Sequence, residues 1–239
     1  MSSALWMATF ALADDAPTVL TETDAAMNRA KDLTIQWTVA DMAPGGKAPR
    51  ALGFQVRVKG PKSLTSFDAP ADLKGTRVLV LARDQMWVWL PSYGKVRRIA
   101  SHVTEQGFMG TSYSHADMNA SRFGDAYTAA SMTETGEAWV VQLDAKPDAH
   151  APYPQIEMTV AKSNHLPTRI AYQTAEGKTI KVETRSDYAC QAAVCLPGVM
   201  RMEDLTRPGA WTELHRATWA ADTGLADDVF TVRTLQMGL

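Results

Sequence analysis

Five histidines, His102, His115, His150, His165 and His215, are the side chains best suited to proton transfer or metal binding near neutral pH. No two of them stand at a metal-ligand spacing such as HxxxH. Ser112, His115 and Asp117 supply the residue types of a nucleophile, a base and an orienting acid. They crowd into one short irregular stretch, which does not spread three side chains into that geometry. The sequence has no GxSxG, Walker loop or GxGxxG. Asp14-Asp15, Glu203-Asp204 and Asp227-Asp228 are carboxylate pairs of the kind that decorate a solvated surface. Cys190 and Cys195 are the two cysteines. In an exported protein so close a pair reads as a disulfide that pins a local turn, with free thiols or a metal as the alternatives. A metal needs more ligands than two thiols, and the spacing is not the CxxC of a redox enzyme. The expectation is therefore a protein that is not an enzyme and carries no cofactor and no metal.

Apolar side chains are the conspicuous feature. Trp87 and Trp89 are two apart and share one face of a strand, as do Leu79 and Leu81 on the strand before. Met86, Val88 and Leu90 load the opposite face. A half-solvated sheet does not need apolar residues on both sides. One side is core; the other must be covered, by ordinary packing or by something bound. Phe108-Met109 follows in a stretch without period-two spacing, and the chain has 12 methionines, which fill irregular space. Trp37, Leu79, Leu81, Trp87, Trp89, Phe108, Met109 and Met158 are the candidates for lining an apolar cavity. Lys95, Arg97 and Arg98 form the one local basic cluster, suited to a phosphate head group or an acidic partner surface. The plainer reading is a solvated strand end paired with neighbouring carboxylates, Asp117 among the candidates. Net charge is −2 with Lys and Arg scattered, which argues against nucleic acid as a partner.

The elements that must position these residues are mostly strands. The 239 residues are 46% hydrophobic and 21% charged, ordinary for a globular chain. Residues 21–31 suggest a short polar helix, with Thr21 and Asp24 approximating a capping box. Period-two alternation begins at Leu33–Val39 and Phe54–Lys59, which should form a hairpin. A meander follows through Arg77–Ala82, Met86–Leu90 and Val96–Ile99. Residues 101–130 lose the pattern, with one helical turn at 115–119, and alternation returns at Ala138–Leu143 and continues to Trp219. The fold class is mainly β: a single curved antiparallel sheet of about ten or eleven strands, with a few short helices, near 21–31 and 101–130, covering its concave face. At the start, the apolar run Ala4–Phe10 and the small-x-small Ala11-Leu12-Ala13 read as a signal peptide over 1–13; since no Lys or Arg precedes them, either its true start lies upstream or the segment is an apolar arm. Residues 14–239 form one domain.

The series Phe67–Thr76, Met86–Ile99 (MWVWLPSYGKVRRI) and Phe108–Asp117 (FMGTSYSHAD) resembles one family as an ordered set. That family is the outer-membrane lipoprotein-sorting proteins, similar to the LolA/LolB carriers and the RseB sensor domain. The likeness extends to Leu166–Ile170 and Asp228–Val232, while Ser112, Gly107 and the cysteine pair depart from the usual pattern. It implies a half-barrel whose hollow accepts lipid or lipoprotein acyl chains. A periplasmic carrier is then expected, with an inner-membrane RND-type exporter or an outer-membrane acceptor as partner. The alternative is an RseB-like regulatory sensor. Either reading requires a hollow with room for at least one fatty tail.

Overall fold

Thirteen of the chain's strands join one antiparallel sheet in the computed structural model, which describes residues 15–82, 85–99, 107–118 and 120–238. The leader expected at 1–13 and His102 lie outside the described residues. The first six strands are β1 (Leu33–Met42), β2 (Arg50–Lys59), β3 (Lys62–Ala69), β4 (Arg77–Ala82), β5 (Gln85–Leu90) and β6 (Lys95–Ile99). After a long connection come β7 (Tyr127–Thr135), β8 (Ala138–Ala145), β9 (Gln155–Ala161), β10 (Pro167–Gln173) and β11 (Thr179–Ser186). A separate hairpin of β12 (Ala189–Gln191) and β13 (Val194–Leu196) precedes β14 (Val199–Asp204) and β15 (Ala210–Ala221). Among the described residues the α-helices are α1 (Ala16–Met27), α2 (His115–Met118), α3 (Phe123–Ala126) and α4 (Val232–Met237). None of the described helices is long and apolar enough to cross a membrane.

The sheet order is β6-β5-β4-β3-β2-β1-β15-β14-β11-β10-β9-β8-β7. Two meanders thus meet at the β1–β15 seam, where Val39 lies opposite Leu214 and Trp37 opposite Arg216. The expected β1–β2 hairpin and β4–β6 meander both form. β6 and β7 end up at opposite edges, so the sheet is open and curved, a half-barrel. The strand count exceeds the expected ten or eleven mainly because of β7 and the β12–β13 hairpin. β7 (YTAASMTET) hides from a period-two search because most of it is exposed at the sheet edge.

Helix α1 starts earlier than the sequence suggested. Asp15, not Thr21, is the cap: its Oδ1 accepts from the Thr18 backbone at 2.8 Å, and Pro17 follows in the first turn, where a missing N–H costs nothing. Cys190 and Cys195 face each other across β12 and β13 and form the expected disulfide.

Alternation sorts the apolar residues onto two faces. The larger core lies on the concave side and joins Ile35, Trp37, Val39, Phe54, Phe67, Val78, Val80 and Met86 to Leu143, Ile156, Met158, Ile170, Tyr172, Met202 and Leu214. A smaller core on the other face of β3–β6 packs Leu64 and Leu79 against Phe230 and Leu235, with Leu81, Trp87, Trp89 and Val96 around them. The C-terminal segment supplies that second cover. Leu143 is completely buried in the larger core. Leu143→Ala should lower stability by about 2–5 kcal/mol, since transfer and cavity terms add. Removing the disulfide by Cys190→Ser with Cys195→Ser should cost only about 2 kcal/mol, because the closed loop is short. Denaturant midpoints for the two variants test both values.

Candidate functional site

The connection from β6 to β7 must pass from one edge of the half-barrel to the other. Its described residues 107–118 and 120–126 lie over the concave face. Phe108 is buried there against Phe54 and Phe67, with ring centroids 6.2 and 5.6 Å away. His115 meets Phe108 edge-on at 4.9 Å, and burial lowers its pKa. Tyr113 is 2% exposed. The backbone turns sharply at Met109 and Gly110, both left-handed at φ 52° and 81°. Gly110 accommodates that conformation without strain; Met109 does not. A side chain at Gly107 would meet the Thr111 carbonyl at 2.6 Å, so only glycine fits that close approach.

Polar groups of the sheet hold this plug, residues 107–118, in place. Arg50 donates to the Met109 carbonyl at 2.8 Å. The Ser112 backbone donates to the Thr212 hydroxyl at 2.8 Å, and that hydroxyl donates to Asp41 at 2.6 Å. Arg207, paired with Asp204 at 2.7 Å, reaches the Thr111 carbonyl at 3.3 Å. Asp117 has a fully buried side chain and accepts from Tyr153 at 2.8 Å, Lys181 Nζ at 3.0 Å and the Ser114 backbone at 2.8 Å. Its carboxylate is thus part of the seat of the plug. Beside it, the completely buried Glu183 accepts from Arg185 at 2.7 Å and Tyr172 at 2.9 Å. Lys181, Glu183 and Arg185 alternate along β11 and so share the concave face.

Helix α1 covers the half of the hollow nearer β7. Asp24 fastens it to the crossing segment, accepting from the Phe123 and Gly124 backbones at 2.8 and 2.7 Å, and burial raises its pKa. Between α1, α3 and β7 lies a cleft of about 540 Å³, lined by Leu20, Asp24, Tyr127, Ala129 and Lys146 among others. Its volume falls in the range of small-molecule sites.

The structure divides the eight cavity candidates. Trp37, Phe108, Met109 and Met158 belong to the concave core. Leu79, Leu81, Trp87 and Trp89 belong to the opposite face, beneath Phe230 and Leu235, because period-two alternation turns them away from the hollow. Lys95, Arg97 and Arg98 stand exposed on edge strand β6, where the Arg97 guanidinium stacks 5.1 Å from the Tyr93 ring centre. Asp117, considered as a partner for that cluster, is instead paired with Lys181. The open hollow with room for a fatty tail that the sequence led one to expect is not present: Phe108, Tyr113 and the concave core fill it, because the segment crossing between the sheet edges packs its own side chains there. Sequence reasoning missed Tyr153, Tyr172, Lys181, Glu183 and Arg185. Charged residues alternating on β11 between apolar neighbouring strands were the available signal.

Burial raises the pKa values of Tyr113, Tyr153 and Tyr172, and pushes Tyr188 up to about 12. Unfolded tyrosines titrate near 10. Between pH 10 and 12 the unfolded chain therefore releases protons that the folded chain retains. The tyrosine contribution to stability is full below pH 10 and falls as pH rises, by about 1.4 kcal/mol per unit for each group. The buried Tyr113 hydroxyl has no hydrogen-bond partner among the described residues. Tyr113→Phe should leave stability at pH 7 unchanged or raised by up to about 1 kcal/mol, and make the alkaline decline shallower. Tyr153→Phe should cost about 1.5–3 kcal/mol at pH 7, by removing a bond to a charged group. Urea titrations at pH 7 and from pH 9 to 12 test all three.

No curated protein matches the chain. Solved structures do. A DUF1329 family protein from Desulfovibrio piger superposes with a TM-score of 0.81 at 23% identity, covering 93% of this chain and 100% of its own. A structure described as a putative outer membrane lipoprotein-sorting protein domain, from Vibrio parahaemolyticus, has a TM-score of 0.81 at 19% identity over 92% and 98% of the two chains. A LolA superfamily protein from Nitrosomonas europaea has a TM-score of 0.75 at 20% identity, again over 92% and 98%. One family model, described as an uncharacterized protein, matches residues 59–237. The chain therefore belongs to that family, and its half-barrel is the fold of the DUF1329 and LolA-superfamily structures.

Proposed function

We propose that this protein is a periplasmic carrier that takes up lipid or lipoprotein acyl chains on the concave face of its half-barrel. The observation that carries the reading is the nature of the cover. An apolar surface spanning most of a 13-stranded sheet is closed by a 12-residue helix and by a plug held through a handful of polar contacts. Cargo must take the place of the plug, since the plug fills the hollow. The magnitudes allow this. Burying Phe108 and the ring of Tyr113 contributes roughly 2–3 kcal/mol each. Burying a 16-carbon acyl chain at about 0.8 kcal/mol per CH₂ contributes roughly 12 kcal/mol. The same quantity opposes unaided passage of such a chain through water, which is the reason a carrier is needed. The likeness to a structure described as a lipoprotein-sorting domain agrees with this reading. An RND-type exporter or an outer-membrane acceptor would be the partner at either end of transfer.

Two measurements test it. Protein purified from periplasm and examined by native mass spectrometry should retain a lipid that organic extraction releases. In Ser112→Cys with Thr212→Cys, at positions joined by a 2.8 Å hydrogen bond, oxidation should fasten the plug to β15. The oxidised form should bind a fluorescent palmitoyl probe at least tenfold more weakly than the reduced form. Equal binding by the two forms would show that the plug is not the gate. Absence of both co-purified lipid and probe binding would overturn the carrier reading.

A further inference from the structure

Two ion pairs are buried in the concave face, and they differ in where their partners come from. Glu183 and Arg185 both belong to β11, and Tyr172 of β10 completes their bonding. That pair is a fixture of the sheet. Lys181 also belongs to β11, but its counter-charge, Asp117, is carried by the plug. The neighbouring pairs Asp41–Arg50 and Asp204–Arg207 remain within strands or hairpins when the plug is displaced. Of these four pairs, only that of Lys181 is split when the plug leaves, which takes away the carboxylate at 3.0 Å. The Lys181 side chain is only 15% exposed with the plug in place, and an unpaired ammonium in an apolar hollow is strongly unfavourable.

Whatever displaces the plug therefore gains by bringing its own anion. We infer that Lys181 and Tyr153 form a head-group site for an anionic amphiphile, a carboxylate or phosphate on an acyl chain, and that Asp117 occupies this site in the closed state as an internal substitute. This inference rests on the carrier reading above. Three features support it. Lys181 and the Tyr153 hydroxyl already converge on the two oxygens of one carboxylate, at 3.0 and 2.8 Å. Tyr153 belongs to the connection between β8 and β9, not to the plug, so both donors stay behind when Asp117 leaves. Lys181 Nζ also lies 5.7 Å from the Tyr153 ring centre, which fixes the two side chains relative to each other. The closed state is meanwhile imperfectly satisfied among the described residues: Tyr113, 2% exposed and close enough to feel the charges of Glu183, Arg185 and Asp117, has no hydrogen-bond partner there for its hydroxyl. That desolvation penalty is relieved when the plug moves out.

The test is equilibrium binding of three fluorescent probes with one acyl chain and different heads: a carboxylate, a phosphate monoester and an uncharged glycerol ester. The wild-type protein should bind the two anionic probes at least tenfold more tightly than the uncharged one. Asp117→Asn, which weakens the internal substitute, should tighten anionic binding about tenfold. Lys181→Met should remove the preference between heads. Because Lys181→Met alone leaves Asp117 buried without its cation, the double variant Asp117→Asn with Lys181→Met, which removes both charges, is measured beside it, with circular dichroism melts for each. A preference for anions that survives in the folded double variant would overturn the head-group site while leaving the carrier reading intact. Failure of every variant to bind any probe would instead overturn the carrier reading on which the site depends. The ratio between carboxylate and phosphate probes identifies which head the site takes.

Discussion

The pairing of β1 with β15 is the constraint on which the rest of the structure depends. It joins two meanders back to back and sends their free strands, β6 and β7, to opposite edges of one sheet. At about 4.8 Å between strands, the arc from edge to edge is roughly 58 Å. The chain between β6 and β7 has to join those two edges, and its described residues 107–118 and 120–126 lie across the hollow, so the plug is a consequence of topology before it is a consequence of its own residues. Its residues then decide how it sits: Phe108 fills apolar space, Met109 and Gly110 turn the chain, and Asp117 meets Lys181.

The two faces of the sheet are closed by different segments. On the convex side, Phe230 and Leu235 of the C-terminal segment pack on Leu64 and Leu79, and exposed polar contacts such as Lys62 with Asp227 at 3.1 Å fasten the rim. On the concave side, apolar filling is combined with charged anchors, several of them buried. A purely apolar cover would be the simpler way to make a stable core, since a buried ion pair commonly adds little over well-packed hydrophobic residues. The concave cover is thus the one whose attachment includes a buried charge pair, and a partner of such a pair can be exchanged for another.

Much of the architecture was legible in the residues. Period-two alternation marked nearly every strand with a buried face, the cysteine spacing marked the β12–β13 hairpin, and the ordered series through Met86–Ile99 and Phe108–Asp117 pointed to the family fold. β7 was not legible, because an exposed edge strand has no apolar face to reveal it. The start of α1 was misplaced because a capping-box pattern at Thr21 competed with the simpler Asp15 cap. Trp87 and Trp89 attracted attention as cavity residues, yet alternation tells only that they share a face, not which face is concave.

Local sequence determined the strands, the turns and the partition of each strand into two sides, because side-chain direction in a strand depends only on position along it. Which strands became neighbours, which side curved inward and which segment filled it were decided by tertiary structure. Those outcomes depend on contacts between residues far apart in the chain, such as Trp37 opposite Arg216 and Asp117 with Lys181. A period-two pattern has no way to encode a partner at that distance. Locally the charged row Lys181, Glu183, Arg185 looks like any solvated strand face; only the fold turned it inward and set the plug's carboxylate against it.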